Sequence, residues 1–248
     1  MKILLISGHG AGDCGAIGNG YKEADLTREL VKLIDNELKY YEVDIDIYDQ
    51  KRNAYKDVKN GTFHIRKYDY VFEVHFNAYD KKAHGTEIWV TKLENGISVE
   101  QEIVKNLSQY FTDRGVKREN FAVIYKCRKL GISGALLETC FIDNASDMKI
   151  YQTKKKAIAK AIAIGIAEKW GLKKKATPTI KTVQVNSKVK IKSGAVYGGL
   201  ASTRGKKVPE SVIERIHTIK KIQTNKGVQE ALLKEINSWV AVSSLTVI

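Results

Sequence analysis

The sequence predicts an α/β fold: a mixed, mostly parallel sheet flanked by helices forms the N-terminal part, and a small all-β domain follows it. Over residues 1–172, short apolar runs alternate with stretches of helical periodicity, a pattern typical of a sheet that is at least partly parallel. Beyond this region the helical period fades and short β-prone runs recur. The 248 residues, 43% of them hydrophobic, are enough for one medium domain and one small domain.

Apolar runs bounded by turn residues predict the strands of the first part, and apolar residues at helical spacing predict its helices. The predicted strands cover residues 3–7, 43–48, 70–75, 86–91, 122–125 and 134–138. The predicted helices cover residues 23–40, 99–111 and 154–172. In the second part, the β-prone runs are 188–192, 212–220, 227–234 and 239–248.

A glycine-rich loop, "GHGAGDCGAIGNG", follows the first strand. It contains the GxGxxG spacing of dinucleotide-binding loops from Gly10 to Gly15, but that motif requires a helix directly behind the glycines. Here the loop continues to residue 22, so no helix N-terminus is available to hold a pyrophosphate. His9 also stands where the backbone would approach the phosphate. These features disfavour a nucleotide site.

Polar residues stand at the ends of predicted strands. His9, His75 and Glu138 each end or follow an apolar run, and Glu23 opens the first helix. Because carboxyl ends of parallel strands form the ligand crevice of an α/β sheet, these four side chains are expected to converge. Two histidines and one carboxylate are a common ligand set of catalytic zinc, and a second carboxylate can serve as the base.

Each of these residues also has a structural interpretation. Either histidine could be an ordinary core or surface residue, and Glu23 could be a first-turn acid favoured by the helix dipole. Glu138 is harder to explain in that way, because an acid directly after Ala135-Leu136-Leu137 is costly to bury without a partner.

Four segments in order, "ISGHGAGDCGAIGNGYKEADL", "VFEVHFNA", "HGTEIWV" and "GALLETCFIDNASD", resemble the catalytic domain of the zinc-dependent N-acetylmuramoyl-L-alanine amidases (amidase type 3). The resemblance implies that His9, Glu23 and His75 bind Zn²⁺ and that Glu138 is the catalytic acid/base. It implies hydrolysis of the amide between the lactyl group of N-acetylmuramic acid and L-alanine in peptidoglycan. Asn77 is expected to order the loop after His75 or to contact the substrate.

The chain departs from the family pattern at two positions, where Cys14 replaces a frequent proline and Cys140 a frequent glycine. Neither is a ligand position in the family, although Cys14 lies in the glycine-rich loop near the expected ligands and could make the site sensitive to oxidation. His84, before the third segment, is expected to be a groove or surface histidine. The third cysteine, Cys127, is distant from the other two in sequence, so no disulfide framework or CxxC zinc motif is predicted.

Residues 173–186, "KKKATPTIKTVQVN", are predicted to be a linker, and 187–248 a separate domain. The segments "SKVKIKSGAVY", "VPESV" and "ALLKEINSWVAVSSLTVI" resemble the SH3-like wall-binding modules that follow amidase domains in phage lysins. The resemblance implies that this domain docks on the cell wall. Residues 176–248 carry 12 Lys/Arg and 4 Asp/Glu, and their net charge of +8 fits an anionic wall polymer such as teichoic acid. Nucleic acid is disfavoured because only Tyr197 and Trp239 could stack on bases.

These observations predict a modular phage-type endolysin that acts on peptidoglycan, with no nucleic-acid partner and no stable membrane association. The apolar run at residues 3–6 is too short for a signal peptide. The protein is therefore expected to remain in the host cytoplasm until a holin-type lesion releases it to the cell wall. A bacterial autolysin of the same chemistry, a zinc peptidase acting on stem peptides and a non-catalytic binding protein remain alternatives. The oligomeric state stays open.

Overall fold

The computed structural model divides the chain into two compact units, Met1–Lys175 and Ala176–Ile248. It describes residues 1–65, 68–175, 183–199, 202–225 and 227–248. Of the predicted linker 173–186, residues 176–182 lie outside the described residues.

The first unit is built on a six-stranded mixed sheet with the strand order β4-β1-β5-β8-β6-β7. Its strands are β1 (Lys2–Ser7), β4 (Asp44–Ile47), β5 (Tyr70–Asn77), β6 (Thr86–Val90), β7 (Asp113–Arg118) and β8 (Ser133–Phe141). The short strands β2 (Ile17–Gly18) and β3 (Tyr21–Lys22) form a hairpin in the glycine-rich loop. Neighbouring strands are parallel except β6 and β8, which are antiparallel. The sheet is therefore mixed and mostly parallel, as predicted.

Helices cover both faces of this sheet. They are α1 (Glu23–Leu38), α2 (Ala54–Lys59), α3 (Ser98–Leu107), α4 (Ala122–Lys129) and α5 (Ala145–Lys169). The apolar sides of α1, α3 and α5 form the larger core on one face, and α2 and α4 enclose a smaller core on the other. Helix α5 begins nine residues earlier than predicted, because the Asn144 side chain accepts hydrogen bonds from the first-turn amides of Ser146 and Asp147.

One predicted strand is a helix. Residues 122–125 begin α4, whose buried side chains Val123, Ile124 and Cys127 follow helical spacing. A short apolar run cannot distinguish a buried helix from a buried strand, and here the helix packs against the sheet. Strand β7 and helix α2 were not predicted; β7 (DRGVKR) is mostly polar and lies at the sheet edge.

The second unit contains a five-stranded antiparallel sheet with the order β12-β11-β10-β9-β13. Its elements are β9 (Lys188–Ile191), the helix α6 (Glu210–Ile213), β10 (His217–Asn225), β11 (Val228–Leu233), β12 (Ser238–Ala241) and β13 (Leu245–Val247). The run 212–220, predicted to be β-structure throughout, instead begins in α6, which Pro209 precedes. Among the described residues of both units, no helix is long and apolar enough to cross a membrane.

Candidate metal centre

Backbone geometry places the three predicted ligands at one edge of the sheet. His9 follows β1 directly and adopts a left-handed conformation with φ of 64°. A Cβ at Gly8 would lie 2.3 Å from the His75 ring, so glycine lets the loop pass beside β5. Glu23 is the first residue of α1, and its amide donates to the carbonyl of Ala16, which closes the loop.

The donor atoms of these residues converge on one point. His9 Nε2 lies 3.0 Å from Glu23 Oε2, and His75 Nδ1 lies 2.9 Å from Glu23 Oε1. One ligand atom from each residue fits within 4.8 Å of the others. No other group of three potential ligands this compact occurs among the described residues. Two imidazole nitrogens and one carboxylate suit zinc and leave a coordination position open.

A second acid holds each histidine from its far side. Asp13 Oδ2 accepts from His9 Nδ1 at 3.0 Å, and Glu73 Oε1 lies 3.3 Å from His75 Nε2. Such outer carboxylates fix the orientation and tautomer of ligating histidines. They leave Nε2 of His9 and Nδ1 of His75 facing the centre. Asp13 is itself fixed by the amide of Gly15 and the side chain of Asn53.

The electrostatics of the site favour a positive charge between these residues. Burial opposes ionisation of Glu23, but hydrogen bonds from His75 and His9 outweigh it and hold the Glu23 pKa well below its usual range. Burial likewise opposes charge on the imidazoles, yet Glu23 and the outer acids raise the pKa of both histidines. Three carboxylates thus surround the two rings, and this environment fits a divalent cation.

Glu138 lies on the adjacent strand. It is the register partner of His75 in the β5–β8 pair, and its Oε2 is buried without a hydrogen-bond partner among the described residues. Burial raises the pKa of Glu138 to about 8, with further contributions from the charges of Glu23 and Glu87. A cation at the neighbouring centre would lower this pKa, because an opposite charge favours the carboxylate. An acid with these properties can both accept and return a proton near neutral pH.

A cavity of about 330 Å³ opens beside the centre on the sheet face that carries α2 and α4. Its walls come from the glycine-rich loop, strand β5 and the first residues of these two helices. The residues that line it include His9, Asp13, Asn53, Tyr55, Glu73, His75 and Phe121. The cavity has room for a substrate group next to the three converging ligands.

The sequence profile of one family, described as N-acetylmuramoyl-L-alanine amidase (Amidase_3), matches residues 3–168. This match covers more than half of the chain and the whole of the site. The chain belongs to this family.

Several curated proteins are similar to this chain. It is 30% identical over 186 residues to the probable autolysin PH of Staphylococcus aureus, covering 65% of this chain and 38% of that protein. The chain is 26% identical over 227 residues to the sporulation-specific N-acetylmuramoyl-L-alanine amidase of Bacillus subtilis, covering 86% of this chain and 84% of that protein. With the endolysin of Bacillus phage SPP1 it shares 29% identity over 185 residues, covering 70% and 67%. The chain therefore spans well under half of the autolysin.

Solved structures share the fold of the first unit. The crystal structure of an N-acetylmuramoyl-L-alanine amidase from Clostridium difficile 630 aligns with a TM-score of 0.59 at 22% identity, covering 68% of this chain and 96% of that one. The catalytic domain of the CD27L endolysin, which targets Clostridia difficile, aligns with a TM-score of 0.57 at 22% identity, covering 68% and 97%. These alignments establish the α/β amidase fold.

The other residues that the sequence analysis discussed, Asn77, Cys14, Cys140 and His84, are not part of the group of three converging ligands. Asn77 donates to Glu87 at 3.2 Å and does not join the three ligands. Cys14 is exposed in the glycine-rich loop, and Cys140 is buried in the core. His84 is exposed and its Nδ1 lies 3.1 Å from the carbonyl of Lys82, outside the ligand group.

Sequence reasoning missed the two outer acids of this candidate centre, Asp13 and Glu73. Glu73 precedes His75 by two residues, and residues so spaced in a strand share one face, so alternation could have identified it. Asp13 carried no comparable signal, because its contact with His9 depends on the conformation of the glycine-rich loop.

Proposed function

We propose that this protein is a zinc-dependent peptidoglycan hydrolase that cleaves the amide between the lactyl group of N-acetylmuramic acid and L-alanine of the stem peptide. The observation that carries the proposal is the convergence of His9, Glu23 and His75 within 4.8 Å, beside a buried acid on the next strand. Family membership supports the choice of bond. We assign Zn²⁺ to the three converging residues and the acid/base role to Glu138.

Each residue has a separate task in this reaction. His9 Nε2, His75 Nδ1 and one oxygen of Glu23 would hold the metal, and Asp13 and Glu73 would keep the two rings in place. Zinc bound there supplies a Lewis acid that polarises the lactyl carbonyl and lowers the pKa of water. Glu138 takes a proton from the attacking water and returns it to the leaving nitrogen. The carbonyl carbon gains an oxygen as the C–N bond breaks, giving a lactyl carboxylic acid and a free L-alanine amine.

We further propose that residues 187–248, the part of the second unit that follows the predicted linker, are an SH3-like module that binds the cell wall. Its antiparallel five-stranded sheet is compatible with a small β-barrel, and the net charge of +8 on residues 176–248 favours an anionic polymer. The endolysin assignment, with a cytoplasmic phase before release to the wall, belongs to the same proposal. The similarity to a probable autolysin supports an autolysin of the same chemistry as the second candidate.

Metal content and product analysis on one sample test the catalytic proposal. The purified protein is assayed for bound zinc and then incubated with purified Gram-positive cell walls, after which new amino termini are labelled. We expect about one zinc per chain and new N-terminal alanine, both lost in His75→Ala. Zinc without new alanine termini would move the reaction to another bond. Absence of both would refute the enzyme assignment.

A further inference from the structure

A cluster of charged residues lies beside the catalytic centre and takes no part in the proposed reaction. Glu87 of β6 is buried, with 2% of its surface exposed, and is the register partner of Glu138 across the antiparallel β6–β8 pair. Arg114 Nε and Lys117 Nζ, both from the edge strand β7, approach the same oxygen of Glu87 at 2.5 and 2.6 Å. The cluster therefore extends from the acid/base residue to the edge of the sheet.

The cluster contains more positive charge than its structural role requires. The other oxygen of Glu87 already accepts hydrogen bonds from Asn77 Nδ2 at 3.2 Å and from Trp89 Nε1 at 3.1 Å. One cation would neutralise the carboxylate, yet two share a single oxygen and repel each other. Each cation also keeps about a third of its side chain exposed. The net charge of these three ionised groups is +1.

Both cations retain unused hydrogen-bonding capacity. Within the described residues, Lys117 Nζ donates to Glu87 alone, although an ammonium group has three donors. Arg114 donates to Glu87 and, at 3.4 Å, to the carbonyl of His84, which leaves part of its five-donor guanidinium free. The charged groups lie over aromatic rings, with Lys117 Nζ 5.2 Å from the Trp89 centroid and Arg114 Cζ 5.0 Å from the Phe141 centroid. These contacts hold the cations in place without satisfying their donors.

The distance from the centre indicates what would bind there. Glu87 lies two strands away from His75, and neighbouring strands are about 4.8 Å apart, so the separation is about 10 Å. An extended peptide advances about 3.3 to 3.6 Å per residue. A stem peptide whose first amide lies at the centre would therefore bring its second or third residue to the two cations.

We propose that Arg114 and Lys117, held by Glu87, form a subsite that binds a carboxylate on the second or third residue of the stem peptide. This inference rests on the proposed amidase function and adds a specificity determinant to it. Glu87 acts as a positioning residue, because it orients both cations without touching the substrate.

Two muramoyl tripeptides test the subsite: one has free carboxylates on residues two and three, and the other carries carboxamides at both positions. For the wild-type protein we expect kcat/KM to favour the carboxylate form by about tenfold to a hundredfold, the range for a hydrogen bond to a charged group. The difference should lie mainly in KM, since the carboxylate is bound alike in ground and transition states. Lys117→Met should remove most of the preference, and Lys117→Arg should retain it.

Lys160→Met is the matched control, because Lys160 is an exposed lysine of α5, the helix that packs with α1 and α3 on one face of the sheet. This variant should prefer the carboxylate substrate over the carboxamide substrate by the same factor as the wild type. Equal rates on both substrates for the wild type would overturn the subsite. So would a Lys117→Met variant that loses the same factor on both, since that marks a purely structural role.

A binding measurement separates failure of the subsite from failure of the proposed reaction. The two tripeptides without the muramoyl group are titrated into the wild-type and Lys117→Met proteins by calorimetry. Tighter binding of the carboxylate peptide, lost in Lys117→Met, would support the subsite even if neither muramoyl substrate were cleaved. Equal binding of both peptides, together with cleavage of both substrates, would refute the subsite and leave the amidase assignment intact.

Discussion

Glu138 and His75 face each other in register across the parallel strands β5 and β8. Both residues lie within regular strands, so the backbone hydrogen bonds of the central sheet set their relative position. A proposed metal ligand and the proposed acid/base are therefore fixed to one rigid element. Substitutions at the two positions should consequently have separable effects on metal binding and turnover.

Glu138→Gln should lower kcat by about 10² to 10⁴, the usual contribution of a general acid/base, while bound zinc stays at the wild-type level. The amide keeps the size of the side chain but cannot take up the proton of the attacking water. Single-turnover hydrolysis of a soluble muropeptide and metal analysis measure the two quantities. Glu168→Gln, at an exposed position of α5, is the control, and wild-type turnover in Glu138→Gln would remove this residue from the mechanism.

Glu73→Gln should weaken zinc binding by about 10- to 100-fold, because the outer carboxylate no longer holds the His75 ring. At saturating zinc, turnover should recover most of its wild-type value, since Glu73 is assigned no contact with substrate. Competition with a chromophoric chelator gives the zinc affinity. Unchanged affinity with reduced stability would instead make Glu73 a purely structural buried acid.

Gly15→Ala should abolish stoichiometric zinc binding. A Cβ there would lie 2.6 Å from His9 Cδ2 and 2.7 Å from Glu23 Oε2, so both ligands would be displaced. Gly12→Ala is a matched control in the same loop, with φ of 86° and no heavy atom within 4 Å of the added Cβ. Both variants should lose about 1 kcal/mol from backbone strain. Equal zinc contents in the two would show that the contacts at Gly15 do not control the site.

Glu100→Gln should stabilise the protein more at about pH 7.5 than at about pH 4. Burial raises the pKa of Glu100 in the folded state above its ordinary 4.5. At pH values between the unfolded-state pKa and the folded-state pKa, the folded state therefore binds more protons than the unfolded state. The free energy of unfolding of the wild type therefore falls as pH rises through that window and stays reduced above it. The amide has no proton to lose and can still accept from the Tyr70 hydroxyl, which lies 2.7 Å from Glu100 Oε1.

Thermal melts at the two pH values measure this difference, with Glu102→Gln as the control. Glu102 is on the same helix, but hydrogen bonds from Lys169 and Lys105 lower its pKa. Its replacement should therefore lose stability at the higher pH. If the stability of Glu100→Gln depended on pH in the same way as that of the wild type, Glu100 would not be the group that binds the extra proton in the folded state.

Removal of residues 176–248 should reduce co-sedimentation with purified cell walls by about tenfold or more, because the second unit is proposed to concentrate the protein there. Hydrolysis of a soluble muropeptide should change far less, since the proposed ligands all belong to the first unit. Added salt should weaken wall binding of the full chain, because the attraction is electrostatic. Equal losses in both assays would instead mean that the second unit is needed for catalysis.

The sequence alone was sufficient to predict much of the sheet. Strands β1, β5 and β8 are rich in apolar residues, as burial on both faces of a mostly parallel sheet requires. Strands β5 and β8 also carry the polar residues Glu73, His75 and Glu138. The sequence also predicted the mixed α/β class and the four residues that we propose for the centre: His9, Glu23, His75 and Glu138. The convergence of His9, Glu23 and His75 follows from such local signals, because each residue stands at the end or the start of a recognisable element.

Other features depended on tertiary packing. Residues 122–125 are helical because α4 packs on the sheet, which a short apolar run does not reveal. Edge strand β7 is too polar to predict, yet it brings Arg114 and Lys117 to Glu87.

The same holds for the ring nitrogens that face the centre. His75 Nδ1 faces Glu23, which is distant from it in sequence, and the side chain of Asn53 holds Asp13 beside His9. Glu73, by contrast, lies on the same strand as His75. The ends and starts of recognisable elements therefore predicted the three converging residues and Glu138, but not Asp13 or Glu73. Contacts between elements distant in sequence, such as Glu23 with His75 and Asn53 with Asp13, were decided by the tertiary structure, because hydrogen bonds and ion pairs depend on positions in space.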